Sequence, residues 1–147
     1  MIRIVTESMS DFTQEEAKAA DLIVMPLPIR FGMEEYWDDG VSLTQDDFYA
    51  RLRVNEFGWD YRFNQQEGLV IDNEKVKLEN PEDEVLVITG SSKLSGCYQS
   101  ACIAREACHD PARVTVLDSL NATCAEYMLV DQALRYRREG VSDMQTM

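Results

Sequence analysis

Four short stretches rich in branched apolar residues recur along the chain: Ile2 to Val5, Leu22 to Pro26, Val85 to Thr89 and Arg113 to Leu117. None keeps the strict apolar-polar alternation of a strand with one wet face, so they predict strands buried on both sides. Helical patterns follow them. Thr13 with Glu16 forms a capping box that starts a helix over Gln14 to Ala20. Ala101, Ile103, Ala104, Ala107 and Cys108 mark a second helix, ended by Pro111, and Tyr127, Met128, Val130, Leu134 and Tyr136 a last one that stops at Gly140. This βα repetition predicts an α/β fold, a three-layer sandwich with a mainly parallel sheet and helices on both faces.

The stretch after Leu22 breaks the pattern. Pro26 and Pro28 interrupt a run that continues through Leu27-Pro28-Ile29-Arg30-Phe31 into Gly32, which places it at an edge or in a crossing segment. Glu35-Tyr36-Trp37 followed by Asp38-Asp39-Gly40 predicts a small hairpin arm ending in a turn. Thr44 with Asp47 repeats the capping pattern ahead of Phe48, Tyr49 and Leu52, and Arg53 ends that helix. Residues 54–68 show no period, whereas Leu69 to Leu78 reads as two short strands around an Asp-Asn-Glu-Lys turn.

With 147 residues, one domain over 1–147 is expected, burying roughly two-thirds of the surface of its unfolded chain. Ser142-Asp143-Met144-Gln145 announces a further helix that the last two residues do not build. The chain therefore reads as the first domain of a longer protein whose C-terminal domain is missing.

Fourteen basic residues against twenty-seven acidic ones give a net charge of -13, spread along the chain. Arg105, Arg135, Arg137 and Arg138 are too few and too mixed with acids to form a phosphate-binding stripe, which argues against nucleic acid and anionic membrane as partners. A strand begins at Ile2, leaving no room for a leader, and no apolar run reaches membrane-spanning length; a cytoplasmic location without stable membrane insertion is expected. Cys97, Cys102, Cys108 and Cys124 contain no C-x-x-C pair, and His109 is the single histidine, so no metal site and no cofactor is expected. Three of these cysteines sit among Ala, Ile and Leu and read as buried free thiols.

The chemistry lies in three polar loops at strand ends: Thr6-Glu7-Ser8-Met9-Ser10-Asp11, Gly90-Ser91-Ser92-Lys93-Leu94-Ser95-Gly96, and Asp118-Ser119 with Asn121 and Thr123. Loops at the carboxyl ends of parallel strands gather helix N-termini and free amides, and hydroxyls added to them make a nest for a carboxylate or phosphate. Equally, these serines cap turns and helices, and Asp11 and Asp118 order neighbouring hydroxyls or cap turns themselves. No Walker or dinucleotide glycine pattern is present.

Four stretches taken in order resemble the DegV family of bacterial fatty-acid-binding proteins: Ile4 to Asp11, Val24 to Ile29, Ser91 to Ala101 and Asp118 to Ala122. The resemblance implies a two-domain protein that holds one long-chain fatty acid and presents it to a separate fatty acid kinase subunit, without chemistry of its own. It implies that Ser92 is the main carboxylate ligand, with Ser91, Ser95, Gly96, Ser8, Ser10, Asp118 and Ser119 completing the site. Three departures stand out. Glu7 occupies a position where the family carries Asp, and Cys97 one where it carries Thr. Nothing in the atypical central segment, 54–80, matches the family's Thr-Ser-Gln-Pro-Ser stretch.

Two other readings compete. Tyr36, Trp37 and the central segment could form a homodimer or partner surface in an interaction module that binds no ligand. A small serine hydrolase would use Ser8, Ser10 or Ser92, but His109, at a helix end, is poorly placed as its base.

Overall fold

The computed structural model describes residues 1–54, 59–61 and 82–144. Its centre is a parallel sheet of four strands: β1 (Ile2–Glu7), β2 (Leu22–Met25), β6 (Glu84–Thr89) and β7 (Val114–Asp118), in the order β2-β1-β6-β7. The α/β layering expected from the sequence is observed. Ile2, Ile4, Leu86 and Ile88 point to one face, where α1 (Gln14–Ala20) and α4 (Cys124–Arg138) cover them with Ala17, Val130, Ala133 and Leu134. Val5, Val85, Val87 and Val114 point to the other face, covered by α3 (Cys97–Ala107) through Ala101. Cover on both faces explains why β1 and β6 do not alternate; edge strand β7 is not buried on both sides as expected, since Thr115 and Leu117 stay exposed where no helix covers them.

The first helix starts where its capping box lies. Thr13 Oγ1 accepts the Glu16 N–H at 3.2 Å, and the Thr13 N–H donates to Glu16 Oε2 at 2.9 Å. Thr13→Ala is expected to cost about 1 kcal/mol, read as a lower urea midpoint at unchanged m value; an unshifted midpoint would show that the box does not hold this helix.

The proline-interrupted stretch divides between two sheets. Leu22–Met25 stays at the edge of the parallel sheet as β2, while β3 (Pro28–Phe31) leaves it to form a second, antiparallel sheet with β4 (Glu34–Trp37) and β5 (Trp59–Tyr61), in the order β4-β3-β5. Pro28 is the first residue of its strand, where a missing donor is tolerated.

The hairpin arm exists, but its turn lies at Gly32-Met33 and not at Asp38-Gly40 as expected. Gly32 takes φ +61°, a conformation glycine adopts without Cβ strain. Asp38-Gly40 instead starts the exit loop: Asp39 Oδ1 accepts the N–H groups of Val41 at 2.8 Å and Ser42 at 2.6 Å. That loop leads to α2 (Gln45–Val54), capped by Thr44, whose Oγ1 accepts the Asp47 N–H at 3.2 Å. Ile29, Phe31 and Leu43, with Tyr36 and Phe48, form the small core beneath it.

Strand β5 arises inside the aperiodic stretch 54–68 and was not expected. The two short strands expected over Leu69 to Leu78 lie outside the described residues, as do residues 145–147; residues 142–144 are not helical.

Candidate functional site

The chain runs from β1 to β2 on one side and then crosses to β6 on the other, so the sheet has a switch point between β1 and β6. Open α/β sheets bind ligands in the crevice at the carboxyl ends of such a pair. Here those ends are Glu7 and Thr89, and the three polar loops of the sequence leave from Glu7, Thr89 and Asp118.

Backbone bonds tie the loops together. The Ser91 N–H donates to the Asn121 carbonyl at 2.7 Å, the Ser119 N–H to the Thr89 carbonyl at 3.0 Å, and the Thr123 N–H to the Met9 carbonyl at 3.0 Å. Within the serine loop the Ser91 carbonyl accepts from Leu94 and Ser95 at 2.9 and 3.0 Å. The Ser92 N–H donates to Asp118 Oδ1 at 3.1 Å, and Leu120 N–H to the same oxygen at 3.0 Å. The Ser92 hydroxyl also bonds Asp118 and, with these amides, holds its carboxyl below the usual range.

The candidate ligand residues divide into two groups. Ser92 and Gly96 are exposed and Ser95 half-buried, and they line the rim ahead of α3. Ser95 Oγ accepts the Cys97 N–H at 3.2 Å, which leaves its hydrogen to donate elsewhere. A side chain at Gly96 would meet nothing within 4 Å, so space is open above it. The remaining serines are spent on the loops themselves. Ser91 is buried and its Oγ accepts the Lys93 N–H at 3.2 Å. Ser10, at 0 % exposure, donates to the Glu7 carbonyl at 2.7 Å. Ser119 Oγ donates to the Asn121 carbonyl at 3.1 Å and accepts the Asn121 N–H at 3.0 Å. Ser8 Oγ accepts the Leu27 N–H at 3.1 Å and bonds Asp38.

Beneath this rim, in the switch-point crevice, lie two carboxyl groups that sequence reasoning did not single out as a pair. Glu7 is 6 % exposed and Glu126 0 %. Glu7 Oε1 accepts the Gly90 N–H at 2.7 Å, and Glu126 Oε1 accepts the Thr6 hydroxyl at 3.2 Å. Burial, then the Glu7 charge and a hydrogen bond to it, push the Glu126 carboxyl up to about 9. The Cys97 thiol lies against the same site, and burial followed by the Glu7 charge pushes it far up, so it stays a neutral thiol. A signal existed: Glu126 shares the helical stripe of Val130, Ala133 and Leu134, an acid on an otherwise apolar face.

A cavity of about 440 Å³ opens beside Ser8 and Asp11, between α2, β3 and the exit loop. Phe12, Ile29, Leu43 and Phe48 line it, but Asp11, Asp38 and Asp39 stand on its wall. Burial raises both Asp11 and Asp38 from their ordinary values. Three carboxylates give it the wrong sign for an anionic head group.

Of the four cysteines, Cys97 is buried, Cys102 and Cys108 are half-buried and Cys124 is exposed, so only one fits the expected buried thiol fully. Tyr36 belongs to the small core, its ring 6.4 Å from Phe31 and 4.6 Å from the Arg51 guanidinium, whereas Trp37 is partly open at 40 % exposure. Among the described residues no group of three or more His, Cys, Asp or Glu side chains is placed to hold a metal ion, and no helix is long and apolar enough to cross a membrane.

The expected free amides are not there, because the N–H groups of Gly90, Ser91, Ser92, Lys93, Leu94 and Ser95 all donate within the protein. These features define an α/β domain that presents loop hydroxyls at the carboxyl ends of parallel strands. The chain belongs to the DegV family, whose profile, described as an uncharacterised protein of that family, matches residues 1–147. A DegV domain-containing protein of Caldanaerobacter subterraneus subsp. tengcongensis is 36 % identical over 141 residues, which are 96 % of this chain and 49 % of that protein. Among solved structures, a DegV family protein from Thermus thermophilus described by its fatty acid binding aligns with a TM-score of 0.76 at 26 % identity, over 99 % of this chain and 50 % of that one. The Streptococcus pneumoniae fatty acid kinase B3 protein, loaded with linoleic acid, aligns with a TM-score of 0.75 at 20 % identity, over 97 % and 50 %. The chain thus spans about half the length of the curated relatives it matches.

Proposed function

We propose that this chain binds the carboxylate of a long-chain fatty acid at the rim formed by Ser92, Ser95 and Gly96, as the binding half of a system in which a separate kinase acts on the acid. The observation that carries the reading is the exposed Ser92 on a loop fixed from below by Asp118, Asn121 and Glu7. A fixed loop loses little freedom when it takes a ligand, so its hydrogen bonds count toward affinity. The fatty acid binding described for the Thermus thermophilus relative and the linoleic acid of the Streptococcus pneumoniae protein support the ligand class.

The head group would exchange with Asp118 for the Ser92 hydroxyl hydrogen and take a second hydrogen from Ser95. Asp118 keeps the Ser92 and Leu120 amides and so holds the loop's shape during the exchange. Ser91, Ser119, Ser8 and Ser10 serve as supports behind the rim. Tail burial, about 0.8 kcal/mol per CH₂, supplies most of the affinity, and the head contacts set orientation. The chain itself does no chemistry on the acid in this reading. The kinase partner and a cytoplasmic setting belong to the same proposal.

Titration of the chain with a fluorescent long-chain acid tests the head site. Ser92→Ala is expected to weaken binding about tenfold, the loss of one hydrogen bond to a charged group. Saturable binding that ignores the substitution would place the head group elsewhere.

A further inference from the structure

We infer that Glu7 and Glu126 share a single proton and act as positioning residues for the serine loop, so that an anion binds at the rim only while the pair beneath it holds that proton. The inference concerns the same rim as the fatty-acid reading and rests on it for the ligand, but not for the pair.

The geometry begins at Gly90, the first residue of the serine loop. A Cβ there would lie 3.0 Å from Glu7 Oε1 and 3.2 Å from Glu126 Oε2, so both carboxyl groups converge on this one backbone position. They arrive from different elements, Glu7 from the end of β1 and Glu126 from the first turn of α4. Each uses one oxygen, for the Gly90 amide and the Thr6 hydroxyl, and among the described residues the Oε2 atom of each has no donor.

Two buried carboxylates side by side repel strongly, and each leaves an acceptor unpaired. One proton resolves both problems, because a protonated Glu126 donates to Glu7 and the pair carries a single charge. Among the described residues, the other titratable groups facing the pair add no compensating cation. Cys97 from α3 presses a neutral thiol on Glu7, and Asp11, after β1, contributes another negative charge.

The link to the rim runs through a single bond. Glu7 holds the Gly90 N–H, and Gly90 leads directly into Ser91 and Ser92. Loss of the proton doubles the charge in a dry crevice and drives the two carboxyl groups apart. The Gly90 amide then loses its acceptor geometry, and an anion at Ser92 faces an added negative charge from below.

Carbon-detected NMR of the ligand-free chain, followed from pH 6 to 10, reads the pair directly. The Gly90 resonances and the Glu126 carboxyl are expected to move together in one step above neutrality. Glu126→Gln keeps both hydrogen bonds, with its amide donating to Glu7, and should abolish the step. A fluorescent long-chain acid, ionised throughout pH 7.5 to 9.5, is expected to lose about fourfold in affinity over that range on the natural chain, as the protonated fraction falls. The glutamine variant should lose less than twofold over the same range. A Gly90 signal that does not titrate, a step that survives in the variant, or a flat affinity in the natural chain each overturns the inference. If the variant does not fold, the titration of the natural chain decides alone. If the acid binds at no pH, the fatty-acid reading fails, and the Gly90 titration still decides whether the pair shares its proton.

Discussion

Glu126→Gln is expected to stabilise the folded chain at pH 8 by about 2–4 kcal/mol, and to flatten a decline in stability that the natural chain shows from about pH 5 upward. The Glu126 carboxyl, ordinarily near 4.5, is raised to about 9 in the fold, first by burial and then by Glu7. Between those two values the folded state binds more protons than the unfolded one. Stability therefore falls as pH rises through that window, and it is greatest on the acid side, where both states hold the proton. Glutamine matches the protonated carboxyl in shape, accepts from Thr6 and donates to Glu7, yet needs no proton from solvent.

On the acid side other groups set the limit. Glu16, held low by the Thr13 hydroxyl and amide, and Asp118, held low by the Ser92 hydroxyl, lose their contribution as pH falls through their folded values. The natural chain should thus be most stable at about pH 5. Urea unfolding across pH 4 to 9 measures both branches. A natural chain equally stable at pH 5 and pH 8, or a glutamine variant weaker at pH 8, would show that no buried proton is held at this position.

Ile4→Ala is expected to cost about 3–4 kcal/mol and to lower the urea midpoint without changing the ligand preference of what remains folded. Ile4 has 0 % exposure and sits on β1, the strand flanked by β2 and β6, opposite Leu22 and Leu86. Val130 and Leu134 of α4 close over it. Close packing on all sides leaves little freedom to collapse into the vacated volume, so the cavity cost adds to the lost transfer energy. Met128, on the same helix but 70 % exposed, marks the contrast: its truncation lies in the range of ordinary surface changes. A loss below about 1 kcal/mol for Ile4→Ala would mean that this strand is not the centre of the core.

The layering was legible because its causes are local. Branched apolar runs without alternation, a Thr13–Glu16 box ahead of α1, a second at Thr44, and Gly140 with φ +81° after α4 each act within a few residues. The hairpin turn was misplaced because Gly32 and Gly40 both take positive φ, and only the pairing of Ile29 with Tyr36 distinguishes the turn from the exit loop. Met128 read as part of the apolar face of the last helix, but the helix buries the stripe of Val130, Ala133 and Leu134 instead.

Periodicity and capping need no knowledge of distant residues, so the α/β order, the starts of α1 and α2, the family and the three hydroxyl-rich loops were readable along the chain. Only the tertiary structure decided which of those hydroxyls remain open, with Ser92 at the rim and Ser10 and Ser119 turned inward. It also decided that Glu7, Gly90 and Glu126 meet. The reason lies in two contacts between distant segments: β6 beside β1 brings Glu7 and Gly90 together across 83 positions, and α4 packed on β1 adds Glu126, which fixes the dielectric in which their charges act.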